Sequence, residues 1–353
     1  MTKKELMSGN EAMAEAAVRA GCDFFASYPI TPQTSILEYL STRMFEVGGE
    51  FVQAESEIAA INMVMGASAA GGRVMTATAG MAVSLMMETL SWMVAARYPG
   101  VVINLQRSGA GSGAIKSSQT DFHYATKSMG HGGLHAYVLS PASAQEAADL
   151  VYGAFEFAEK YRCLVYILTD SMVGQVLEPV TLPEFRTALP TRDWCVSGNE
   201  GRKARKLNVH CDMSHKNLAT YRNFEKMYET WAKEEVRYEE YCMDDAESVI
   251  VAWGMGARVA RGAVDILRAE GKKVGLFRPI TLYPVPTEKM RTWDPAKIKN
   301  ILVAEVAVPA QMYDDVDNAI RGKIPLHKYD CCWLNVFSEE DIADRARALT
   351  EEE

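Results

Sequence analysis

The sequence is short of the residues that hold metals and crosslinks. Its 353 residues carry seven cysteines (22, 163, 195, 211, 242, 331 and 332), no Cys-x-x-Cys, and only six histidines. An odd number without paired spacing argues against a disulfide framework, a zinc knuckle or a ferredoxin-type cluster within this chain. His123, His131 and His135 are too irregularly spaced for ligation from successive helical turns, so no metal site is expected here. Long apolar runs are missing as well. The most apolar stretch, residues 80–100, carries Glu88 and Arg97, and the N-terminal residues hold no signal-peptide pattern, so a cytoplasmic protein off the membrane is expected. Positive charge is in deficit: 37 Lys and Arg against 46 Asp and Glu leave a net charge of −9, which weakens any nucleic-acid or anionic-membrane reading.

What is present is an ordinary globular composition, 48% hydrophobic and 24% charged, long enough for two or three domains. Apolar runs between breakers predict strands over Asp23–Ser27, Arg73–Thr78, Val101–Gln106, Ala136–Leu139 and Cys163–Thr169, with helical patterns between them. That alternation predicts an α/β fold, a mostly parallel sheet covered by helices on both faces, over residues 1–185. Pro179, Pro183 and Pro190 then punctuate a polar region, 186–246, which includes the basic run Arg202–Lys206 and one long charged helix over about Asn217–Tyr241. Strand–helix alternation resumes in a smaller α/β domain, 247–353, with strands expected over Ser248–Ala252, Lys273–Phe277, Asn300–Val303 and Cys332–Val336.

Four segments invite a functional reading. Gly254-Met255-Gly256 follows a predicted strand as a dinucleotide-binding turn would. Position 259 is Val where a third glycine belongs, however, and no acidic residue stands at the next strand end, so a tight β–α turn is the better reading. Arg107 opens a loop, Ser-Gly-Ala-Gly-Ser-Gly-Ala, at the carboxyl end of a strand, where ligand sites of open α/β sheets collect; its planar fork suits a carboxylate or phosphate. Tyr28-Pro29-Ile30-Thr31-Pro32 also ends a strand, and its prolines hold Thr31 stiffly. Glu57 opens a helix, IAAINMVMGASAAGG, that has almost no charge, which puts this carboxylate at the edge of a core. That helix and the Met-rich one over 81–96 read as adaptable core or subunit interface.

Taken in order, Tyr28-Pro-Ile-Thr-Pro, Gln53-x-Glu-Ser-Glu57-Ile-Ala-Ala, Met75-Thr-Ala-Thr-Ala-Gly80, Arg107 before its glycine loop and Ser118-Gln-Thr-Asp121 resemble one family. So do Gly130-His-Gly, Ser140-Pro-Ala-Ser, Leu168-Thr-Asp-Ser and Arg278-Pro-Ile-Thr-Leu-Tyr-Pro. The chain resembles the alpha subunit of the 2-oxoacid:ferredoxin oxidoreductases, enzymes that use thiamin diphosphate to convert 2-oxoacids to acyl-CoA. The resemblance implies two transketolase-like domains. It implies that Glu57 hydrogen-bonds the aminopyrimidine of thiamin diphosphate, with Tyr28, Pro29, Ile30 and Gly80 beside the cofactor, and that Thr31 and Arg107 contact the substrate, Arg107 through its carboxylate. No Gly-Asp-Gly occurs. The diphosphate and Mg2+ are therefore expected on a partner beta subunit, and [4Fe-4S] clusters on beta or gamma/delta partners of a hetero-oligomer, with CoA as co-substrate and ferredoxin as acceptor. Two stretches depart from the family pattern, Thr78-Ala-Gly-Met-Ala82 and Glu305-Val-Ala-Val-Pro-Ala-Gln311. The Arg107 loop is closest to the branched-chain type, which implies an apolar 2-oxoacid. The alternatives are 2-oxoglutarate, pyruvate or an aryl glyoxylate as substrate, a non-catalytic binding subunit, or an NAD enzyme resting on Gly254-Met255-Gly256.

Overall fold

The computed structural model describes residues 4–187, 192–206 and 216–351; Pro190 and Cys211 lie outside them. In chain order its strands are β1 (Glu5–Ser8), β2 (Phe24–Ser27), β3 (Glu50–Gln53), β4 (Val74–Ala79), β5 (Gly100–Gln106), β6 (Tyr137–Leu139) and β7 (Leu164–Asp170). There follow β8 (Leu177–Val180), β9 (Tyr238–Tyr241), β10 (Ser248–Val251), β11 (Val274–Pro279), β12 (Thr281–Tyr283), β13 (Asn300–Glu305) and β14 (Leu326–Asp330). A seven-stranded sheet has the order β12-β6-β7-β5-β4-β2-β3, parallel except for β12, and a five-stranded sheet the order β14-β13-β10-β11-β9, parallel except for β9. Strands β4, β5 and β7 are buried along their whole length, as the near-continuous apolar runs of a doubly covered parallel sheet require. No helix among the described residues is long and apolar enough to cross a membrane.

Local chemistry sets the helix starts. Ser8 and Glu11 form a reciprocal capping box at the Gly9–Arg19 helix, Ser56 accepts from the Ala59 N–H at the Glu57–Ala70 helix, and Ser143 accepts from the Glu146 N–H at the Ala144–Tyr161 helix. Gly71, at φ +103°, ends the Glu57–Ala70 helix in the left-handed conformation.

Two expectations need correction. The helix anticipated over Asn217–Tyr241 runs over Lys216–Thr230, widens into a π turn at Trp231–Glu235 and then stops, because Tyr238–Tyr241 pairs antiparallel with β11. Its charged residues belong to an edge strand, where alternation of exposed and half-buried positions replaces a helical stripe. The strand expected over Cys332–Val336 is instead a turn, closed by the Asn335 N–H on the Cys332 carbonyl, and the fifth strand of that sheet is Leu326–Asp330. An edge strand needs no apolar run, which is why this half-exposed segment escapes a search for one. Strand β9 completes the five-stranded sheet and β12 the seven-stranded one, so each sheet takes one strand from the other's stretch of sequence.

The two sheets meet through buried polar contacts. Gln119, fully buried, donates from Nε2 to the Trp253 carbonyl (2.8 Å) and accepts on Oε1 from the Val306 N–H (2.9 Å). Arg278 reaches Glu146 and Glu239, and Arg258 pairs with Glu178 at 2.6 Å.

Candidate functional site

Strands β3, β2, β4 and β5 lie side by side and parallel. Their carboxyl ends therefore share one edge, and the segments leaving that edge carry Glu57 (after β3), Tyr28–Thr31 (after β2), Gly80 (after β4) and Arg107 (after β5). At a strand spacing of about 4.8 Å, the first and last of these backbones stand about 14 Å apart. Every residue expected to act is thus on one rim.

Each is held by a different device. Glu57 is the first residue of its helix and only 8% exposed, whereas Glu55 is exposed. The Glu57 carboxylate takes no hydrogen bond or ion pair among the described residues, although a buried charge ordinarily has a partner. A carboxylate kept in this state has room for an external donor, and an aminopyrimidine ring nitrogen is such a group, so the residue fits thiamin diphosphate. The turn at Tyr28–Pro32 is tied down by side chains the motif search did not single out. Gln33 Nε2 donates to the Tyr28 carbonyl (2.8 Å), and Asn10 Nδ2 to the Pro32 carbonyl (2.9 Å). Both amides are fully buried.

Arg107 is the best-determined element of the rim. Its guanidinium donates to the carbonyl oxygens of Thr31 (3.0 Å) and Ser112 (3.3 Å), which fixes the fork while leaving other N–H groups toward solvent. Its stem lies over Gly80: a Cβ there would sit 2.8 Å from Arg107 Cγ, and the Gly80 φ of +50° is itself left-handed. Thr31 meets Arg107 through its backbone carbonyl, and its own side chain is exposed.

Of the residues expected to act, Gly80 and Arg107 open onto a cleft of about 370 Å3, lined also by Met81, Asp121, Tyr124 and Val308 among others, and Tyr28–Thr31 do not line it. Glu57 is not part of that lining. Arg107 is the only cation among the described residues that line it. Asn104 is a residue sequence reading passed over, and Asp121 enters it only as the end of the Ser118-Gln-Thr-Asp121 motif, with no role assigned. Asn104 Nδ2 donates to Asp121 Oδ2 (3.0 Å) and Asn104 Oδ1 accepts from the Gly80 N–H (3.1 Å). Burial pushes the Asp121 carboxyl up to about 6, against the pull of that bond. A polar residue inside the otherwise apolar run Val-Val-Ile-Asn-Leu was the available signal.

The segment Glu305–Gln311 closes the far wall. Glu305 is fully buried, accepting from Trp253 Nε1 (2.9 Å), the Met312 N–H (3.0 Å) and the Gln311 N–H. Burial pushes its carboxyl up to about 8, with those donors opposing. The Gln311 side chain donates to the Thr120 carbonyl (2.7 Å) and accepts from the His123 N–H (2.7 Å). The glycine pair at 254 and 256 has a packing role. A Cβ at Gly254 would lie 3.3 Å from Gln119 Nε2, and one at Gly256 would lie 3.0 Å from Gln119 Oε1. Asp170 accepts from the Met255 N–H at that helix start. The space a dinucleotide phosphate would need is filled by the other sheet's side chains. His135 stacks on Tyr283, with ring centroids 4.0 Å apart, away from His123 on Gln311.

A family model described as pyruvate flavodoxin/ferredoxin oxidoreductase, thiamine diphosphate-binding, matches residues 15–245, and one described as pyruvate:ferredoxin oxidoreductase core domain II matches 246–332. The ketoisovalerate oxidoreductase subunit VorB of Methanothermobacter thermautotrophicus is 46% identical over 289 residues, 81% of this chain and 82% of that protein. The 2-oxoglutarate synthase subunit KorA of Methanocaldococcus jannaschii is 33% identical over 345 residues, 90% of this chain and 92% of that protein. Among solved structures, a 2-oxoglutarate:ferredoxin oxidoreductase from Magnetococcus marinus, with 2-oxoglutarate, coenzyme A and succinyl-CoA bound, superposes with a TM-score of 0.86 at 27% identity, covering 98% of this chain and 65% of that one. A split-gene transketolase shares the fold alone, at a TM-score of 0.60 and 14% identity. The chain belongs to the 2-oxoacid:ferredoxin oxidoreductase family, as an alpha-type subunit with the thiamin-diphosphate-binding domain.

Proposed function

We propose that this chain is the alpha subunit of an enzyme that oxidatively decarboxylates an apolar, branched-chain 2-oxoacid to its acyl-CoA and CO2. Electrons leave through iron–sulfur clusters on partner subunits to ferredoxin, and the complex works in the cytoplasm. One observation carries the reading: a buried carboxylate without a partner, Glu57, shares one sheet edge with the anchored guanidinium of Arg107. When bound, thiamin diphosphate supplies the carbon nucleophile and electron sink that the reaction needs. Glu57 holds a proton at the pyrimidine ring nitrogen. Arg107 receives the substrate carboxylate through N–H groups its backbone contacts leave free, so little further ordering is needed on binding.

The cleft supports an uncharged acyl side chain. Its wall mixes glycine, alanine, methionine and valine with the uncharged Ser84, Ser108, Thr120, Tyr124 and Gln311, and holds a single cation that the 2-oxo carboxylate would occupy. A dicarboxylate such as 2-oxoglutarate would bring a second charge with no second cation to meet it and with Asp121 nearby. Ile58, Met63, Leu85 and Trp92 leave apolar side chains exposed on the two Met-rich helices, which supports a partner seated there, such as the beta subunit carrying the diphosphate, Mg2+ and a cluster.

The co-purified complex, assayed with CoA and a viologen dye against 2-oxoisovalerate, 2-oxoglutarate, pyruvate and an aryl glyoxylate, tests the reading. The highest kcat/KM is expected for 2-oxoisovalerate, and preference for 2-oxoglutarate would overturn the substrate assignment. Glu57→Gln is expected to abolish 2-oxoacid-dependent dye reduction, and full activity in that variant would overturn the mechanism. Arg107→Ala should raise KM for the 2-oxoacid far more than for CoA.

A further inference from the structure

We propose that Asp121 is a positioning residue that sets Arg107 through Asn104 and Gly80, and that its protonation weakens the setting. The inference rests on Arg107 receiving the 2-oxoacid carboxylate. Its basis is the direction of three contacts. Asn104 turns its amide nitrogen to Asp121 and its oxygen to the Gly80 N–H, and Gly80 is the surface on which the Arg107 stem lies.

An amide can be turned end for end at little cost in shape, so something must choose its orientation. An ionised carboxylate only accepts hydrogen bonds, so it draws the NH2 end of Asn104. The oxygen then necessarily faces Gly80. A protonated Asp121 can donate as well as accept, so it no longer selects against a second, reversed orientation, and the Gly80 N–H alone resists it. In that second orientation the Asn104 NH2 would face the Gly80 N–H, donor against donor, and the left-handed turn under Arg107 would lose its tether.

Among the described residues, Asp121 is the group on the Asn104 amide whose charge changes near neutrality. No cation is within ion-pair reach of it among the described residues; Arg107 lines the same cleft without pairing to it. Tyr124, from the Phe122–Lys127 helix, and Tyr166, from β7, face it, and burial together with the Asp121 charge raises both phenols, which stay neutral; Tyr166 also meets the Asn104 amide, where a neutral hydroxyl can donate or accept and so selects neither end. From β5, Gln106 accepts the Asp121 N–H (3.1 Å) and brings no charge. Desolvation holds the Asp121 carboxyl near 6, so its ionised form is reached just below neutrality.

The test measures KM for 2-oxoisovalerate in the assembled complex from about pH 5 to about pH 8. In the natural sequence KM is expected to rise about five- to tenfold as pH falls through the Asp121 titration, with KM for CoA unmoved. Asp121→Asn, whose carboxamide can present either end, should carry the raised KM at every pH, without that step. A D121N complex with the natural KM throughout overturns the proposal. A readout free of catalysis separates it from the functional reading: with nitrogen-15-labelled asparagine in the full chain, the Asn104 side-chain NH2 resonances should titrate with Asp121 and be flat in D121N. Resonances that are flat in the natural chain overturn the relay even if turnover is normal. A complex that turns over no 2-oxoacid overturns the proposed function, and the NMR titration still decides the relay.

Discussion

Replacing Gly80 with alanine perturbs the carboxylate site without touching a charge. The residue sits at φ +50°, where a side chain costs about 1–2 kcal/mol of backbone strain. The new Cβ would stand 2.8 Å from Arg107 Cγ, a separation that carbon atoms do not sustain, and Cγ is too near the backbone to swing aside alone. The Arg107 stem must move, and its bonds to the Thr31 and Ser112 carbonyls, at 3.0 and 3.3 Å, stretch or break. On the proposed role of Arg107, a displaced guanidinium would forfeit a charge-assisted bond to the substrate carboxylate worth about 1.5–3 kcal/mol, or about tenfold to a hundredfold in KM for the 2-oxoacid. Stability should fall only by the backbone strain, about 1–2 kcal/mol in urea denaturation. The informative measurement is a double-mutant cycle with Arg107→Ala. If Gly80 acts by carrying Arg107, then G80A on the R107A background raises KM by no more than about twofold. A full tenfold rise on that background, or equal increases in KM for CoA and 2-oxoacid, would refute the argument.

Two further outcomes concern the junction of the sheets. Gln119→Ala strands the Trp253 carbonyl and the Val306 N–H in a dry interior, at about 1–3 kcal/mol for each, and should lower unfolding stability by about 2–5 kcal/mol while speeding hydrogen exchange at Val306. A loss below about 1 kcal/mol would mean that water replaces the amide. Asp170, fully buried, has its carboxyl raised from 3.8 to about 6, chiefly by burial, against donors from Met172, Val173 and Met255. The folded state thus holds its proton longer than the unfolded state, and the contribution, complete below about pH 4, is lost as pH rises through about 6. Relative to Asp170→Asn, the natural chain should lose up to about 3 kcal/mol between those limits, and denaturation midpoints that run parallel with pH would contradict it.

How much of this was legible in the sequence depended on whether a residue acts where it stands in the chain. Strands β4, β5 and β7 announce themselves, because burial on both faces forces near-continuous apolar runs. Glu57 stands out as a lone charge at the head of an apolar helix, and Arg107 as a fork before a glycine loop. The edge strands β9 and β14 were hidden, since half-exposed positions tolerate charge and carry no apolar signature. Gln119, Gln33, Asn10 and Asn104 were hidden for another reason. Each bonds a group at least 5 positions away in sequence, Gln119 as many as 187, so its meaning exists only once the sheets have formed. The same holds for Gly254 and Gly256, whose missing side chains make room for an amide from the other sheet rather than for a phosphate.

The short strand β12 has a consequence for how the polypeptide is made. It pairs antiparallel with β6, Thr281 against Leu139, and so covers an edge of the seven-stranded sheet that the first 245 residues cannot cover themselves. During synthesis that edge stays open until residue 283 has cleared the ribosome, and β6, whose three residues are all buried, is exposed in the interval. A fragment cut at the boundary between the two family models would keep the rim with Glu57, Thr31, Gly80 and Arg107 yet carry a permanent sticky margin. Its fate in the cell would be aggregation or proteolysis, so the half with the thiamin-diphosphate-binding domain depends on its C-terminal neighbour for solubility.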